Sequence, residues 1–314
     1  MILYVLRRLL LTIPILIGVS LVVFITVKLI PGDPVSGLLG PTATPEARAE
    51  LTQRLGLDQP LPLQYLAWLW SAVRGDLGAS TALHRPVADV VVAAFGNTLW
   101  LAGAAALLAV VVGAALGAFA AFARGRVGRA VANGLSMVGM SAPQYTIALV
   151  LLIVFAVVLR VSPASGMYSP VGGGSWGDLI WHLALPAIAC ALVPAGVIAR
   201  MFRSTLTELS GSDWVDGYRW RGVSEAGIRR HLVRNAVPSF LTVAGLQVGY
   251  LLGGVVFVET IFAWPGVGRL VFESIAKRDL SVIQGGVLVS ALAFVLINII
   301  VDVAVATVDP RVRA

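Results

Sequence analysis

The sequence predicts an all-α integral membrane protein, and three observations lead to that fold class. Hydrophobic residues make up 58% of the 314 residues, and charged residues make up only 12%, about half the share in ordinary soluble domains. Several apolar stretches reach the roughly 20 residues that a helix needs to cross the hydrocarbon layer. Those stretches contain no charged residue inside them. A protein that crosses the membrane several times is therefore expected.

Six apolar runs predict six transmembrane helices, at residues 9–30, 98–123, 133–159, 179–201, 239–262 and 284–308. The first run follows Arg7 and Arg8, as a secretory signal would, but it is too long and no small-residue cleavage site follows it. If the N-terminus is cytoplasmic, the segments on that side hold most of the arginines and a minority of the carboxylates. The positive-inside rule then places both termini in the cytoplasm. This distribution also argues against nucleic acid as the reason for the formal charge of +7.

Residues 31–97 are predicted to form an extracytoplasmic segment between the first two transmembrane helices. Thr44-Pro45-Glu46 is typical of a helix start. Further along, Tyr65, Trp68 and Trp70 lie among leucines and alanines, which suits a helix at the membrane interface where aromatic rings concentrate. A packed external cap is the favoured interpretation of the whole segment, and a binding domain is the alternative.

The longest cytoplasmic stretch, residues 202–238, predicts a helix, a glycine turn and a second helix. Gly222 supplies the left-handed residue that ends the first helix. Ser224 then caps the second, which is expected to end near Ala236, before Pro238 and the fifth transmembrane helix.

Small residues recur at helical spacing and predict close helix packing. The pairs are Gly113 with Gly117, Gly245 with Gly249, and Gly249 with Gly253, and this small-xxx-small spacing lets helix backbones approach each other. Some of these faces are alternatively part of a path that opens and closes.

Polar and helix-breaking residues near the ends of the spans mark further candidates. Asn298 and Asp302, one turn apart, are expected to form a polar pair inside the bundle, with contact to substrate as the alternative. A helix break between Phe262 and Gly268 predicts a re-entrant turn or outer gate. The candidate gate residues are Glu259, Trp264, Pro265, Gly266 and Gly268.

Catalytic and metal-binding patterns are missing from the sequence. Lys28 and Lys277 are its only lysines, and neither follows the glycines of a phosphate-binding loop. Its three histidines lie in separate segments and it has one cysteine, Cys190, so no tetrahedral metal set is expected. The chain is therefore not expected to hydrolyse ATP or to bind a cofactor or metal, although a channel or an enzyme embedded in the bilayer stays open as an alternative.

The chain resembles, over nearly its full length, the permeases of binding-protein-dependent ABC importers for dipeptides, oligopeptides and nickel. It is most similar to the first of the two peptide permease subunits. The strings that carry the resemblance are Pro31-Gly32-Asp33-Pro34, Leu55-Gly56-Leu57-Asp58-Gln59-Pro60, Arg74-Gly75-Asp76-Leu77-Gly78, Glu259-Thr260-Ile261-Phe262, Trp264-Pro265-Gly266-Val267-Gly268 and Asp309-Pro310-Arg311.

The resemblance implies a type I importer permease fold, with a core over residues 98–314 and a first transmembrane helix within residues 1–30. It also implies that the 202–238 loop is the family's EAA loop, which docks a short helix into a groove of an ATPase. Tyr218 and Trp220 depart from the small residues usual there. The residues expected to couple to the ATPase are Asp213, Trp214, Val215, Gly217, Tyr218, Arg219, Arg221 and Gly222.

The resemblance further implies the partners of an importer in the inner membrane. These are a second permease subunit, one or two ATPase subunits that bind ATP and Mg, an extracytoplasmic substrate-binding protein, and membrane lipids. The implied cargo is a dipeptide or oligopeptide, with nickel or another small solute as the alternative.

Overall fold

A computed structural model describes residues 2–29, 44–54, 56–123 and 125–308. The predicted turn at 31–34 and the string at 309–311 lie outside these residues. The described chain is built from helices. They are α1 Ile2–Leu29, α2 Pro45–Arg54, α3 Leu61–Val73, α4 Val87–Phe122, α5 Arg126–Ser141, α6 Gln144–Leu151, α7 Trp176–Ser210, α8 Asp213–Trp220, α9 Glu225–Ile261, α10 Val267–Lys277 and α11 Leu280–Val308, and the π-helical stretch Leu152–Val158 continues α6.

Four helices of the described chain are long and apolar enough to cross a membrane, and a bent helix adds a fifth. The four segments are Arg8–Leu29, Val87–Phe122, Trp176–Ser210 and Leu280–Thr307, and α9, bent by 49° between Leu251 and Gly253, is the fifth. Five of the six predicted runs therefore fall on these helices. The chain is an all-helical membrane protein in its described part.

The third predicted run, residues 133–159, is not a single helix. Ala142 is extended, with φ −108° and ψ 143°, and ends α5. It precedes Pro143, and the proline ring disfavours the helical conformation at the residue before it. Beyond the break, Gln144–Val158 is a shorter apolar helix.

Residues 99–264 and 296–308 form one compact unit. Its core is made largely of small side chains, such as Ala105 of α4 and Ala189 of α7, both fully buried. At the α4–α7 crossing, a Cβ added to Gly117 would stand 2.7 Å from the Ala199 carbonyl oxygen. The predicted packing role of Gly113 and Gly117 is confirmed, because Gly113 meets Ile198 in the same way.

The second glycine-rich face brings α9 against α11 within the same unit. A Cβ at Gly245 would collide with Val301, and one at Gly249 would stand 2.9 Å from Asn298 Oδ1. Gly253 has open space around it, so the prediction of a packing contact is wrong for this member of the series.

Helix α9 continues through Pro238, where the sequence predicted a break. Proline removes one helical N–H, yet packing holds the helix together on both sides of it. Ala236 is fully buried, and the Phe240 ring lies 4.9 Å from the ring of Phe202 on α7. The second helix of the 202–238 loop and the fifth predicted span are thus one helix.

The described parts of residues 2–98, together with 265–295, form the other compact unit. Val87, Val91 and Val282 make its buried core. Asp279, 1% exposed, accepts hydrogen bonds from Ser80 Oγ at 2.5 Å and from Ala82 N at 3.0 Å. This carboxylate therefore fixes the loop before α4 to the start of α11.

Candidate functional site

The predicted loop of residues 202–238 forms a hairpin of α8 and the first part of α9, called here the α8–α9 hairpin (residues 213–238). Val215 of α8 anchors the hairpin and is fully buried. Val215 belongs to a cluster of buried apolar side chains from three helices. Its other members are Phe202, Leu206, Ile228, Leu232 and Ala236.

Trp214 and Tyr218 pack inward beside Val215. Their rings lie 5.5 Å apart in an edge-to-face contact, a favoured aromatic geometry, and the Tyr218 ring lies 5.2 Å from that of His231 on α9. The apolar face of α8 therefore contacts its own chain and holds the short helix in place.

Gly222 ends α8 as predicted, in the left-handed conformation with φ +76°. Val223 N donates to the Tyr218 carbonyl and Gly222 N to that of Arg219, both at 3.0 Å. This pair of bonds is a Schellman motif, which satisfies the last carbonyls of a helix. Ser224 caps α9 as predicted, since its Oγ accepts from Gly227 N at 3.2 Å.

Arg219 links the two arms of the hairpin. Its Nη1 donates to Asp216 Oδ1 on α8 at 3.0 Å, and its Nε donates to Glu225 Oε1 on α9 at 3.2 Å. The hydrogen bonds that Arg219 donates to Glu225 and, second, to Asp216 raise the pKa of Arg219 above its usual value. Arginine is charged throughout the physiological pH range even without this shift, and an exposed ion pair of this kind adds only modestly to stability.

The hairpin carries a cleft of about 350 Å³. Four of the residues predicted to couple to an ATPase line it, namely Trp214, Gly217, Tyr218 and Arg221, together with Asn235 of α9. Asp213 is exposed close by. The fold therefore gathers the predicted residues on one hairpin, with Val215 buried and four of the others lining the cleft.

Trp220 is the residue that sequence analysis left out of this set. It is 89% exposed, at the end of α8. Surfaces used for binding other proteins are enriched in tryptophan, so an isolated exposed tryptophan beside a cleft is a contact candidate. Its unusual presence at a position where related loops carry small residues was the available signal.

The predicted helix break after α9 is confirmed. Helix α9 ends at Ile261, and Ala263 adopts φ +50°, a conformation uncommon for residues with a Cβ. Trp264 N donates to the Glu259 carbonyl at 2.8 Å, which closes the turn. Glu259 and Trp264 are both fully buried.

The residues that follow this turn are held by two side chains of α4. Asn97 Nδ2 donates to the Pro265 carbonyl at 2.9 Å, and Val267 N donates to Thr98 Oγ1 at the same distance. Gly266 and Gly268 are buried, and Pro265 is exposed. Each candidate gate residue thus occupies an ordered position.

Asn298 and Asp302 lie one turn apart on α11 and are half-buried. The Asn298 amide lies against Gly249 of α9, in space that a side chain at that position would fill. The predicted pairing of Asn298 with Asp302 inside the bundle stays a prediction.

Comparison with known families gives two matches that together cover most of the chain. Residues 113–314 match the family described as binding-protein-dependent transport system inner membrane component. Residues 1–102 match the N-terminal family of binding-protein-dependent transport system membrane components.

Individual proteins show the same likeness. The chain is 38% identical to the dipeptide transport system permease protein of Escherichia coli strain K12, over 99% of this chain and 98% of the relative. It is 39% identical to the glutathione transport system permease protein of Salmonella choleraesuis, with the same coverage of both chains. A solved structure of the MetNI methionine ABC transporter, in an inward-facing conformation, shares the fold with a TM-score of 0.55 at 18% identity, over 70% of this chain and 96% of that one.

Proposed function

The chain belongs to the family of binding-protein-dependent transport system inner membrane components, and from this membership we propose that it forms half of the translocation pathway of an ATP-driven importer of short peptides. Relatives named for dipeptide and for glutathione transport are almost equally similar to it. Both cargoes are short peptides, so a short peptide is the proposed substrate class.

The observation that supports coupling to an ATPase is the rigidity of the α8–α9 hairpin. Its short helix is anchored by buried Val215, its turn is closed by the bonds around Gly222, and Arg219 links its two arms. A rigid element moves as a body when a partner pushes it, whereas a loose loop would absorb the displacement. We assign the cleft and Trp220 as the surface that meets the ATPase.

In the proposed cycle, the hydrolysis of ATP takes place on separate subunits that hold ATP and Mg. Their closure pushes the α8–α9 hairpins of two permease subunits, and the motion passes along α9 into the membrane. An extracytoplasmic binding protein delivers the cargo to the opposite side. A type I importer works by such alternating exposure of a single pathway.

The proposed topology has six transmembrane helices with both termini in the cytoplasm. Gln144–Val158 is then the third span, shorter than the others, and residues 31–97 form the extracytoplasmic segment. The permease core comprises residues 98–314. Both the extracytoplasmic segment and the 262–268 turn are candidates for the outer gate or for contact with the binding protein.

The experiment that tests coupling replaces Gly222 by proline. Proline fixes φ near −65°, which is incompatible with φ +76° at Gly222, so the turn must change. The variant is expected to reach the membrane at normal levels but to lose its ATPase during purification and to take up little labelled dipeptide.

Gly172→Pro is the matched control. Gly172 also has a positive φ, +72°, and open space around its Cα, but it lies in the loop between α6 and α7. The Gly172→Pro variant should keep its ATPase during purification and should take up labelled dipeptide at the normal rate. Normal ATPase association and uptake in Gly222→Pro would contradict the assignment of the hairpin.

A further inference from the structure

Helix α3 is an apolar helix that is too short to span a bilayer. Its 13 residues, Leu61–Val73, include no charged side chain, and none of them is buried. At 1.5 Å per residue it is about 20 Å long, whereas the hydrocarbon layer is about 30 Å thick. A helix with this composition in water would leave most of its surface unfavourably hydrated.

One face of α3 contacts α1. Tyr65 OH and Ser20 Oγ share a hydrogen bond of 2.8 Å, and the Phe24 ring lies 5.5 Å from that of Tyr65 and 6.0 Å from that of Trp68. Ser20 and Phe24 are buried by this contact, at 1% and 5% exposed. The attachment is therefore a specific one.

The attachment point lies within the membrane-spanning part of α1. Helix α1 ends at Leu29, and Ser20 lies about 13 Å before that end along the axis. The Lys28 ammonium, near the end, donates to Gln64 Oε1 at 2.6 Å. Tyr65 therefore lies at the depth of the acyl chains. Its neighbour Gln64 lies nearer the membrane surface, where lysine side chains place their ammonium groups.

The opposite face of α3 is apolar and exposed. Leu63, Leu66, Trp70 and Val73 recur at helical spacing and are 51%, 57%, 60% and 74% exposed. Arg74 lies at the end of this face, and its guanidinium is 4.5 Å from the Trp70 ring centre. Aromatic rings flanked by cations are typical of the membrane interface.

We propose that α3 is inserted into the leaflet in which α1 ends, with the face of Leu63, Leu66, Trp70 and Val73 against lipid acyl chains. Helix α1 also exposes apolar side chains, since Val22 and Ile25 are 63% and 48% exposed. A binding protein that associates and leaves in every transport cycle would periodically expose this face to water, and a patch of this kind is rarely left uncovered in a soluble setting. Lipid covers it permanently.

Spin labelling tests the proposal on the full chain in vesicles of phosphatidylethanolamine and phosphatidylglycerol. Single nitroxide labels are placed through Leu66→Cys, Trp70→Cys and, as the aqueous control, Asp58→Cys in the exposed turn before α3; the buried native Cys190 stays in place. At positions 66 and 70, collisions with oxygen should exceed collisions with a water-soluble nickel chelate, and at position 58 the order should reverse.

Nickel chelate collisions that exceed those of oxygen at both positions 66 and 70 would overturn the proposal, because α3 would then lie in water. Low accessibility to both probes would also overturn it, because a protein would then cover the face. A second measurement needs no label. Trp70→Phe should reduce the fraction of tryptophan fluorescence quenched by brominated phosphatidylcholine more than Trp68→Phe does, and an equal or smaller reduction contradicts the proposal.

Discussion

At the scale of single residues, the α8–α9 hairpin separates two aromatic residues that look alike in the sequence. Tyr218 and Trp220 both replace small residues, yet Tyr218 packs on His231 and Trp220 is 89% exposed. Which side of a short helix faces its own chain depends on packing against helices distant in sequence. Gly222 and Ser224 were predictable, because their roles in the turn depend only on the neighbouring backbone.

Trp220→Ala should weaken binding of the ATPase without unfolding the permease. An exposed side chain contributes little to stability, typically within about 0.5 kcal/mol, whereas a tryptophan at the centre of an interface contributes about 2 kcal/mol or more, roughly a thirtyfold change in affinity. Titration of the purified permease with its ATPase measures this change.

Val215→Ala is the comparison for this prediction and should lower the stability of the permease, which Trp220→Ala should not. The substitution leaves a cavity in the buried cluster and should lower the free energy of unfolding by roughly 1–3 kcal/mol, seen as a lower melting temperature. If Trp220→Ala binds the ATPase with unchanged affinity, Trp220 is not part of the contact.

At the scale of helices, local signals predicted where most of them lie but did not show which prolines interrupt a helix. Pro143 keeps Ala142 extended and so ends α5, while Pro238 lies inside α9. The two prolines differ in their surroundings, since packing of Phe240 on Phe202 supports α9 across the missing hydrogen bond. Tertiary contacts of this kind are not visible in a single sequence.

Gly268→Val tests the candidate gate at the start of α10. Gly268 is buried, so a valine side chain must displace its neighbours, and a segment that has to rearrange during transport should then move less readily. Uptake of labelled dipeptide is expected to fall several-fold while the amount of protein in the membrane stays the same.

Gly253→Val is the matched substitution for this experiment, because Gly253 is a helical glycine of α9 with open space where the added atoms would go. It should transport normally. Uptake at the normal rate in Gly268→Val would remove the 262–268 turn from the list of gate candidates.

At the scale of the whole molecule, composition and charge were sufficient to predict an all-helical membrane protein, and the family matches and the MetNI-like fold agree with it. The sequence alone did not show that the third of the six predicted spans is interrupted. A run of apolar residues records hydrophobicity, whereas the break at Ala142 arises from the geometry of one proline.

Cysteine labelling tests the proposed topology. The native Cys190 is buried and should not react with a membrane-impermeant maleimide. A cysteine introduced at Val171, which is 91% exposed in the loop between α6 and α7, should be labelled in intact cells. One introduced at Ala226, exposed on the hairpin, should react only after permeabilisation, and the opposite pattern would invert the topology.

Because α9 is one helix, the side of it that is buried in the hairpin stands at a fixed rotation to the side that is buried further along. With 3.6 residues per turn, one residue inserted between Leu232 and Pro238 would rotate everything before it by about 100° relative to the rest of the helix. The buried face at Ile228 and Leu232 would then be out of step with that at Leu251 and Val255. Insertions and deletions should therefore be excluded from this stretch of α9 during evolution.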